Sequence, residues 1–362
     1  MTDRERQVLD IIKRNPTIDQ NGIAQILGIT RTTVAAHIAS LEKQGILLGR
    51  GYLLKANDHV VGIGAANVDI YGKSLIKMRP HYDHPSIIET TVGGVTRNIL
   101  ENVSRLGLDA KLITAVGNDH YGRFVLDHSI KAGIDCDNIL RVEGGNTGVF
   151  MQIMDDNNDM HMAMCDMSIN ANLTRDFVAG KERILRSANA IVIDPSLSEY
   201  VIDYVLSLEG ANIYIDPVSD NYAEKIRPYI GRFYLAKPNA SEMAVLADMK
   251  IESEEDLIAA GKKLIDSGLK HLYVSLGAEG CLYMNYLGNC FRKKLKPLAK
   301  IVNASGAGDS FMGALIYAHV NHLDMNRTLD LALAAGKASL MHTQTINPEM
   351  SIGLLDKILK GE

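Results

Sequence analysis

Apolar residues recur at helical spacing through the first 56 positions. Val8, Leu9, Ile11 and Ile12 in "RERQVLDIIKRNP" predict a helix that Pro16 stops. A second short helix fits "QNGIAQILG", with Gly28 as its C-terminal cap. Thr30 then precedes "RTTVAAHIASLEKQG", where Val34, Ile38 and Leu41 form one apolar stripe and Gly45 ends the run. Three short helices with a tight turn between the second and third predict a helix-turn-helix. Two apolar stretches around Gly49-Arg50-Gly51 read as a small hairpin or wing.

From residue 58 the rhythm changes. Apolar runs of strand length ("HVVGIGAA", "AKLITAVG", "AIVIDP", "NIYIDPV", "FYLAKPN", "HLYVSLG") alternate with amphipathic helices ("RNILENVSRLG", "YGRFVLDHSIKAG", "EYVIDYVLSL", "SEMAVLAD", "SEEDLIAAGKKLIDSG"). Continuous apolar strands between helices indicate an α/β fold with a mostly parallel sheet covered on both faces. Ligands bind such sheets beyond the carboxyl ends of the strands. The polar positions there are Asn67 and Asp69, Asp194, Asp216, Asn239 and Glu242, and Gly277 to Gly280. One stretch breaks the pattern: "TGVFMQIMDDNNDMHMAMCDM" reads as a hairpin projecting from the main body, with Met160, Met162 and Met164 as ordinary packing residues.

A chain of 362 residues, 46% hydrophobic, can bury more than one core. It has no apolar run of membrane-spanning length and its N-terminus lacks a signal-peptide stretch, so a cytoplasmic, non-membrane protein is expected. Four scattered cysteines fit neither a zinc site nor a disulfide framework and are expected to be reduced. Charge divides the chain. Residues 1–56 carry eight Lys/Arg against five Asp/Glu, a net of +3, and the remainder 30 against 38, a net of −8. A basic head on an acidic body suggests two modules with different partners, at 1–56 and 58–362.

The most telling stretch is "NASGAGDSF", residues 303–311, running into the apolar helix "MGALIYAHV". Backbone N–H groups at a helix start have no intrahelical partner and favour an anion, which glycines allow to come close. A carboxylate there would repel a phosphate, unless Asp309 takes a proton from an alcohol while the glycine amides stabilise a phosphoryl group in transit. Capping of the helix by Asp309 would explain the same residues.

Residues 1–56 resemble the winged helix-turn-helix domains of bacterial regulators. The resemblance implies DNA binding, with Arg31, Thr32, Thr33 and His37 facing the groove and Arg50 on the wing; a docking module is the alternative. From about residue 58 the chain resembles the ribokinase-like (PfkB) carbohydrate and nucleoside kinases. That resemblance implies an α/β sandwich with a small β lid, which the Met-bearing hairpin would form, a homodimer through the lid, and ATP with Mg²⁺ as cofactors. It also implies roles for particular residues. "GIGAANVDIYG" resembles the strand-end element that places Asp69 and Asn67 on the sugar. "VGGVTRNILENVSRLG" resembles the first family signature, with Gly93, Gly94 and Asn98 lining the sugar site. By the same resemblance "KPNASEM" gives Asn239 and Glu242 to the phosphates and the water shell of Mg²⁺, "SLGAEG" puts Ser275, Gly277 and Gly280 near ATP, and "NASGAGDSF" makes Asp309 the base and Gly306, Ala307 and Gly308 the anion hole.

Finer details, "GGVTRN" with Arg97, "CDMSIN" with Asp166-Met167, "IDPVS" at Asp216-Pro217 and "TQTINPEMS", resemble the pseudouridine kinases within that family. They imply phosphorylation of a nucleoside 5′-hydroxyl, with Thr96, Asp166 and Asn347 as candidates to read the base. Asn303 stands where many relatives carry an Asp linked to a monovalent cation, which leaves dependence on such a cation open. A purine nucleoside kinase or a ribokinase is the nearest alternative. A nucleoside-sensing transcription regulator is the alternative of another class.

Overall fold

The computed structural model describes residues 2–15, 18–47, 58–157, 159–298, 301–303 and 305–361. Two compact units emerge, Met1–Asn57 and Asp58–Glu362. In the first, helices Asp3–Arg14, Gln20–Leu27 and Arg31–Lys43 are each opened by a side-chain cap, from Thr2, Asp19 and Thr30. Gly28 adopts the left-handed conformation that ends the second helix and turns the chain into the third. Val8, Ile12, Ile23, Val34, Ile38 and Leu41 close a small core. Glu5 ties the first helix to the third by accepting a 2.6 Å hydrogen bond from Ser40 Oγ. The expected wing with Arg50 lies outside the described residues.

The larger unit begins with β1 (His59–Ile63), β2 (Asn67–Ser74), β3 (Ser86–Gly93), β4 (Asp109–Ile113) and β5 (Ala115–Gly117). It continues with β6 (Ile134–Asp135), β7 (Leu140–Val142), β8 (Val149–Met154), β9 (Met160–Asp166) and β10 (Ala190–Ile193). Last come β11 (Ile213–Ile215), β12 (Leu235–Ala236), β13 (His271–Ser275), β14 (Cys281–Asn285) and β15 (Cys290–Lys293). Nine strands form the main sheet in the order β15-β14-β13-β12-β11-β10-β1-β4-β6, parallel except at the β14-β15 edge.

Successive residues of these strands serve opposite faces, as the pleat requires. Val60, Val192, Tyr214 and Tyr273 enter one apolar layer with helices Val95–Arg105, Ala307–Val320 and Met325–Leu340. Val61, Ile191, Ile215 and Val274 enter the other, with helices Glu199–Leu206, Ala240–Ala247 and Glu254–Asp266. This is the α/β architecture, with a mostly parallel sheet covered on both faces, that the alternating pattern predicts.

The lid is larger than the Met-bearing hairpin alone. It is a four-stranded sheet, β3-β2-β8-β9, in which the hairpin β8-β9 supplies only half. Asn67 and Asp69 therefore open the lid strand β2, rather than ending a strand of the main sheet. β2 and β3 mix polar and apolar residues with an exposed outer strand, so they lack the buried-strand signature.

Candidate functional site

β1 lies between β10 and β4, so its carboxyl end sits where chain connections diverge to either side of the sheet. There Asp194 holds the backbone together: its carboxylate accepts from Ala65 N (2.7 Å), Thr96 Oγ1 (2.6 Å), Ser196 N (2.9 Å) and Ser196 Oγ. Thr96, fully buried, opens the helix Val95–Arg105 and spends its hydroxyl on that anchor. Two residues along, Asn98 Nδ2 donates to Asp309 Oδ2 at 3.0 Å, which joins the starts of two helices packed in the same layer.

Asp309 sits in the first turn of the helix Ala307–Val320. The N-cap, Gly306, offers no side-chain acceptor, and the first intrahelical bond runs from Ser310 N to the Gly306 carbonyl. The amides of Ala307, Gly308 and Asp309 thus precede the helical ladder. Gly306 has φ +78°, and a Cβ there would come within 2.1 Å of the Thr345 carbonyl, so only glycine makes this turn. Asp309 does not cap the helix by side chain; among the described residues its one hydrogen bond comes from Asn98. Burial raises its pKa to about 7, helped by the nearby Asp216 and Asp69 carboxylates and opposed by Asn98 and Lys237.

Asn67 and Asp69 are brought to the same place by the lid. Asn67 Nδ2 donates to Asp69 Oδ1 at 2.7 Å, and burial raises the Asp69 pKa to about 6. Gly93 pairs with Asn67 in the β2-β3 ladder, diagonal to Asp69; a Cβ there would overlap the Asp69 carboxylate at 2.2 Å. Gly94 follows as the N-cap of the helix that carries Asn98.

Lys237, the first residue of "KPNASEM", has no role assigned by sequence reasoning. Its signal is a cation at the end of a strand buried on both faces. Lys237 is 4% exposed, and its Nζ lies 3.0 Å from Asp216 Oδ2. The same Nζ would be 3.2 Å from a Cβ on Gly308, which places the ammonium beside the open helix start. Burial alone would lower its pKa, but Asp216, Glu242 and Asp309 outweigh that and raise it, so it stays charged. With Asp216 its only side-chain partner among the described residues, the ammonium keeps donors for an anion.

Asn239 and Glu242 form a reciprocal capping box on the helix Ala240–Ala247, and Asn239 is bridged to Ser275 at the end of β13. Burial and the neighbouring Asp216 raise the Glu242 pKa. Gly277 and Gly280 flank a single turn between β13 and β14. The amides that open the helix Ala307–Val320, without a partner among the described residues and beside a buried ammonium, fit the phosphates of ATP. No group of three metal-ligating side chains occurs among the described residues. Mg²⁺ fits here only as an ion on the nucleotide phosphates, with Glu242 and Asp216 as carboxylates for its waters.

A monovalent cation does not fit as well. Asn303 Nδ2 donates to the Thr343 carbonyl at 2.9 Å and Oδ1 accepts from Ser305 N at 2.9 Å. The amide thus ties the turn before Gly306 to the segment around Thr343 with a donor where a cation would need a carboxylate.

Of the three candidates for reading a base, Thr96 is spent on Asp194. Asn347 is spent too: it is buried, donating to the Ala338 carbonyl and accepting from Glu349 N. Asp166, exposed at the end of β9, accepts from Ser168 N at 3.0 Å but is not buried, and it is the candidate left on the lid. In the smaller unit, Arg31, Thr32 and Thr33 are exposed on the first turn of the third helix and His37 is half-buried a turn later.

Set beside known proteins, residues 57–352 match the pfkB family carbohydrate kinases and residues 1–47 match the winged helix-turn-helix DNA-binding family. The chain belongs to the pfkB family of carbohydrate kinases. It is 31% identical over 352 residues to an uncharacterized sugar kinase, YeiI, of Escherichia coli (strain K12), covering 97% of each chain. It is 30% identical to the pseudouridine kinase of the same organism, covering 83% of this chain and 96% of that one. Among solved structures, Arabidopsis thaliana ribokinase complexed with ribose and ATP superposes with a TM-score of 0.72 at 21% identity, over 84% of this chain and 99% of that one. Among the described residues no helix is long and apolar enough to cross a membrane.

Proposed function

We propose that the larger unit, residues 58–362, transfers a phosphoryl group from ATP to the 5′-hydroxyl of pseudouridine. The observation that supports the kinase chemistry is Asp309: a half-buried carboxylate with one hydrogen bond among the described residues, set beside the amides that open its helix and a buried ammonium. In this reading Asp69 and Asn67 hold ribose hydroxyls, with Gly93 and Gly94 keeping the backbone close. Asp309 takes the proton of the attacking hydroxyl. The amides after Gly306 and the Lys237 ammonium stabilise charge on the transferring group, where fixed donors are worth most. ATP supplies that group; Asn239, Glu242, Ser275, Gly277 and Gly280 would lie along its phosphates and the water shell of Mg²⁺.

Pseudouridine as acceptor is supported by the 30% identity with a pseudouridine kinase over nearly all of that protein. Its base has one N–H more than uridine, which a carboxylate can accept, and Asp166 on the lid has that chemistry. ADP release across a nucleoside panel with ATP and Mg²⁺ tests the substrate. Turnover of pseudouridine ahead of uridine, adenosine, inosine and ribose is expected, and faster turnover of any of the others would replace the substrate assignment.

For residues 1–56 we propose DNA binding through Arg31, Thr32, Thr33 and His37, supported by the exposure of the first three at a helix start. Retention of the full chain on DNA should weaken as salt rises; no retention even at low salt would leave a docking role. The lid offers a surface for a second copy. Met162 and Met164 lie opposite Ile153 and Met151, and Gly72 joins Ile153 to Ile88, so the methionines and Ile88 share one exposed apolar face. A homodimer in solution is the expectation, read by light scattering.

A further inference from the structure

Arg97 is among the largest fully buried side chains in the protein, and a guanidinium at 2% exposure must be fully accounted for. Its NH2 pairs with Glu101 Oε2 at 2.5 Å, and Glu101 is held from the other side by Arg105 at 2.5 Å. Its Nε donates to Ser129 Oγ at 3.3 Å. Its remaining nitrogen, NH1, donates to Asn98 Oδ1 at 3.2 Å. Asn98 is the residue whose other amide atom, Nδ2, donates to Asp309.

An asparagine amide has two nearly isosteric orientations, one donating and one accepting toward a given neighbour. A guanidinium only donates, so the neighbour of Arg97 must present oxygen to it. That leaves Asn98 one choice on its far side: an N–H toward Asp309. From this geometry we infer that Arg97 is a positioning residue for the base, acting through Asn98. By locking the amide it keeps a donor on the carboxylate, which favours the ionised form that can accept a proton. With the lock removed, Asn98 can turn its oxygen to Asp309, which suits a protonated carboxyl and disfavours the carboxylate. The other charges facing Asp309, namely Asp216, Asp69 and Lys237, belong to other elements and stay in place. Glu101 keeps Arg105 when Arg97 is lost, so the substitution does not strand a buried anion.

This inference rests on the assignment of Asp309 as the base, and two readouts separate them. In Arg97→Met the acid limb of the kcat/KM profile should move up by about one pH unit, so that turnover at pH 6 falls about tenfold while turnover at pH 9 stays within about threefold of the unsubstituted enzyme. Arg97→Gln, whose amide can donate or accept, should shift the limb by less and guards against a misfolded Met variant. The second readout needs no substrate: the ¹³C carboxyl resonance of Asp309, identified by its loss in Asp309→Asn, is titrated in the full chain with and without Arg97→Gln. An upward shift of that titration supports the lock even if the enzyme's acceptor is not the one proposed. An equal loss of rate at every pH, with an unmoved Asp309 titration, would overturn it.

Discussion

Asp194 and Asp309 are two carboxylates of one site, and they are treated in opposite ways. Asp194, at the carboxyl end of β10, accepts from Ala65, Thr96 and twice from Ser196. Among the described residues Asp309 accepts from Asn98 alone, and it is pushed up to about 7 by burial and by Asp216 and Asp69. A buried carboxylate with its lone pairs filled is part of the scaffold. One left short of donors is unstable as an anion and therefore ready to take a proton. The contrast separates structure from chemistry without any bound ligand.

Asp309→Asn should have the largest effect. Loss of the proposed base is expected to lower kcat by about 10²–10⁴-fold, with affinity for the proposed nucleoside, by calorimetry, changed by no more than about threefold. The same substitution should stabilise the unliganded protein. A carboxyl raised from 3.8 to about 7 is most favourable to the fold when protonated, and its contribution is lost as pH rises from about 4 through 7. Asparagine removes that loss, so Tm at pH 8 should rise by an amount equivalent to about 1–3 kcal/mol. Lower stability in the variant would mean that Asp309 is scaffold like Asp194.

Lys237→Met should follow, with kcat down about 10²–10³-fold from the missing charge beside the helix amides. It also strands Asp216 in the interior, at about 3–5 kcal/mol. Adding Asp216→Asn should recover much of that stability and none of the turnover. Recovery of both would reduce the pair to a structural bridge. For the unsubstituted enzyme, kcat/KM should fall about tenfold per pH unit below pH 6, as Asp309 becomes protonated. A flat profile between pH 5 and 7 would remove its titration from the reaction.

Asp194→Asn tests the other half of the contrast. Its amide would point a donor at Ala65 N–H or Thr96, and chemical denaturation should show a loss of about 1–3 kcal/mol. Turnover per folded molecule should drop by less than about tenfold. A collapse of kcat in a well-folded variant would show that the two carboxylates cannot be told apart by their hydrogen bonds.

Much of this was legible in the sequence because buried parallel strands are continuous apolar runs, and the loops after them carry the polar residues. Asp69, Asn98, Asn239 and Asp309, far apart in sequence, stand out by motif, and Asp69 lies close enough to Asp309 in the structure to help raise its pKa. The rest was hidden for identifiable reasons. β2 and β3 of the lid have one exposed face and lack the apolar run. Lys237 and Arg97 look like ordinary surface cations until their burial is known. Thr96 and Asn347 look free to bind a ligand until their partners Asp194 and Ala338 appear.

Asn303 carries the smallest expected effect and the most specific one. Its Nδ2 already bridges to the Thr343 carbonyl, and its Oδ1 already holds the Ser305 amide ahead of Gly306. A cation at this spot would have to displace a donor from that carbonyl and would meet an amide there, not a carboxylate, to offset its desolvation. Replacing K⁺ by tetramethylammonium at constant ionic strength should therefore change kcat by less than about twofold. In Asn303→Asp the donor is lost and a carboxylate faces the Thr343 carbonyl, two acceptors that only a proton or a cation can join. That variant should turn over slowly without K⁺ and recover with it. If the unsubstituted enzyme already needs K⁺, the amide is not the group that closes this turn during catalysis.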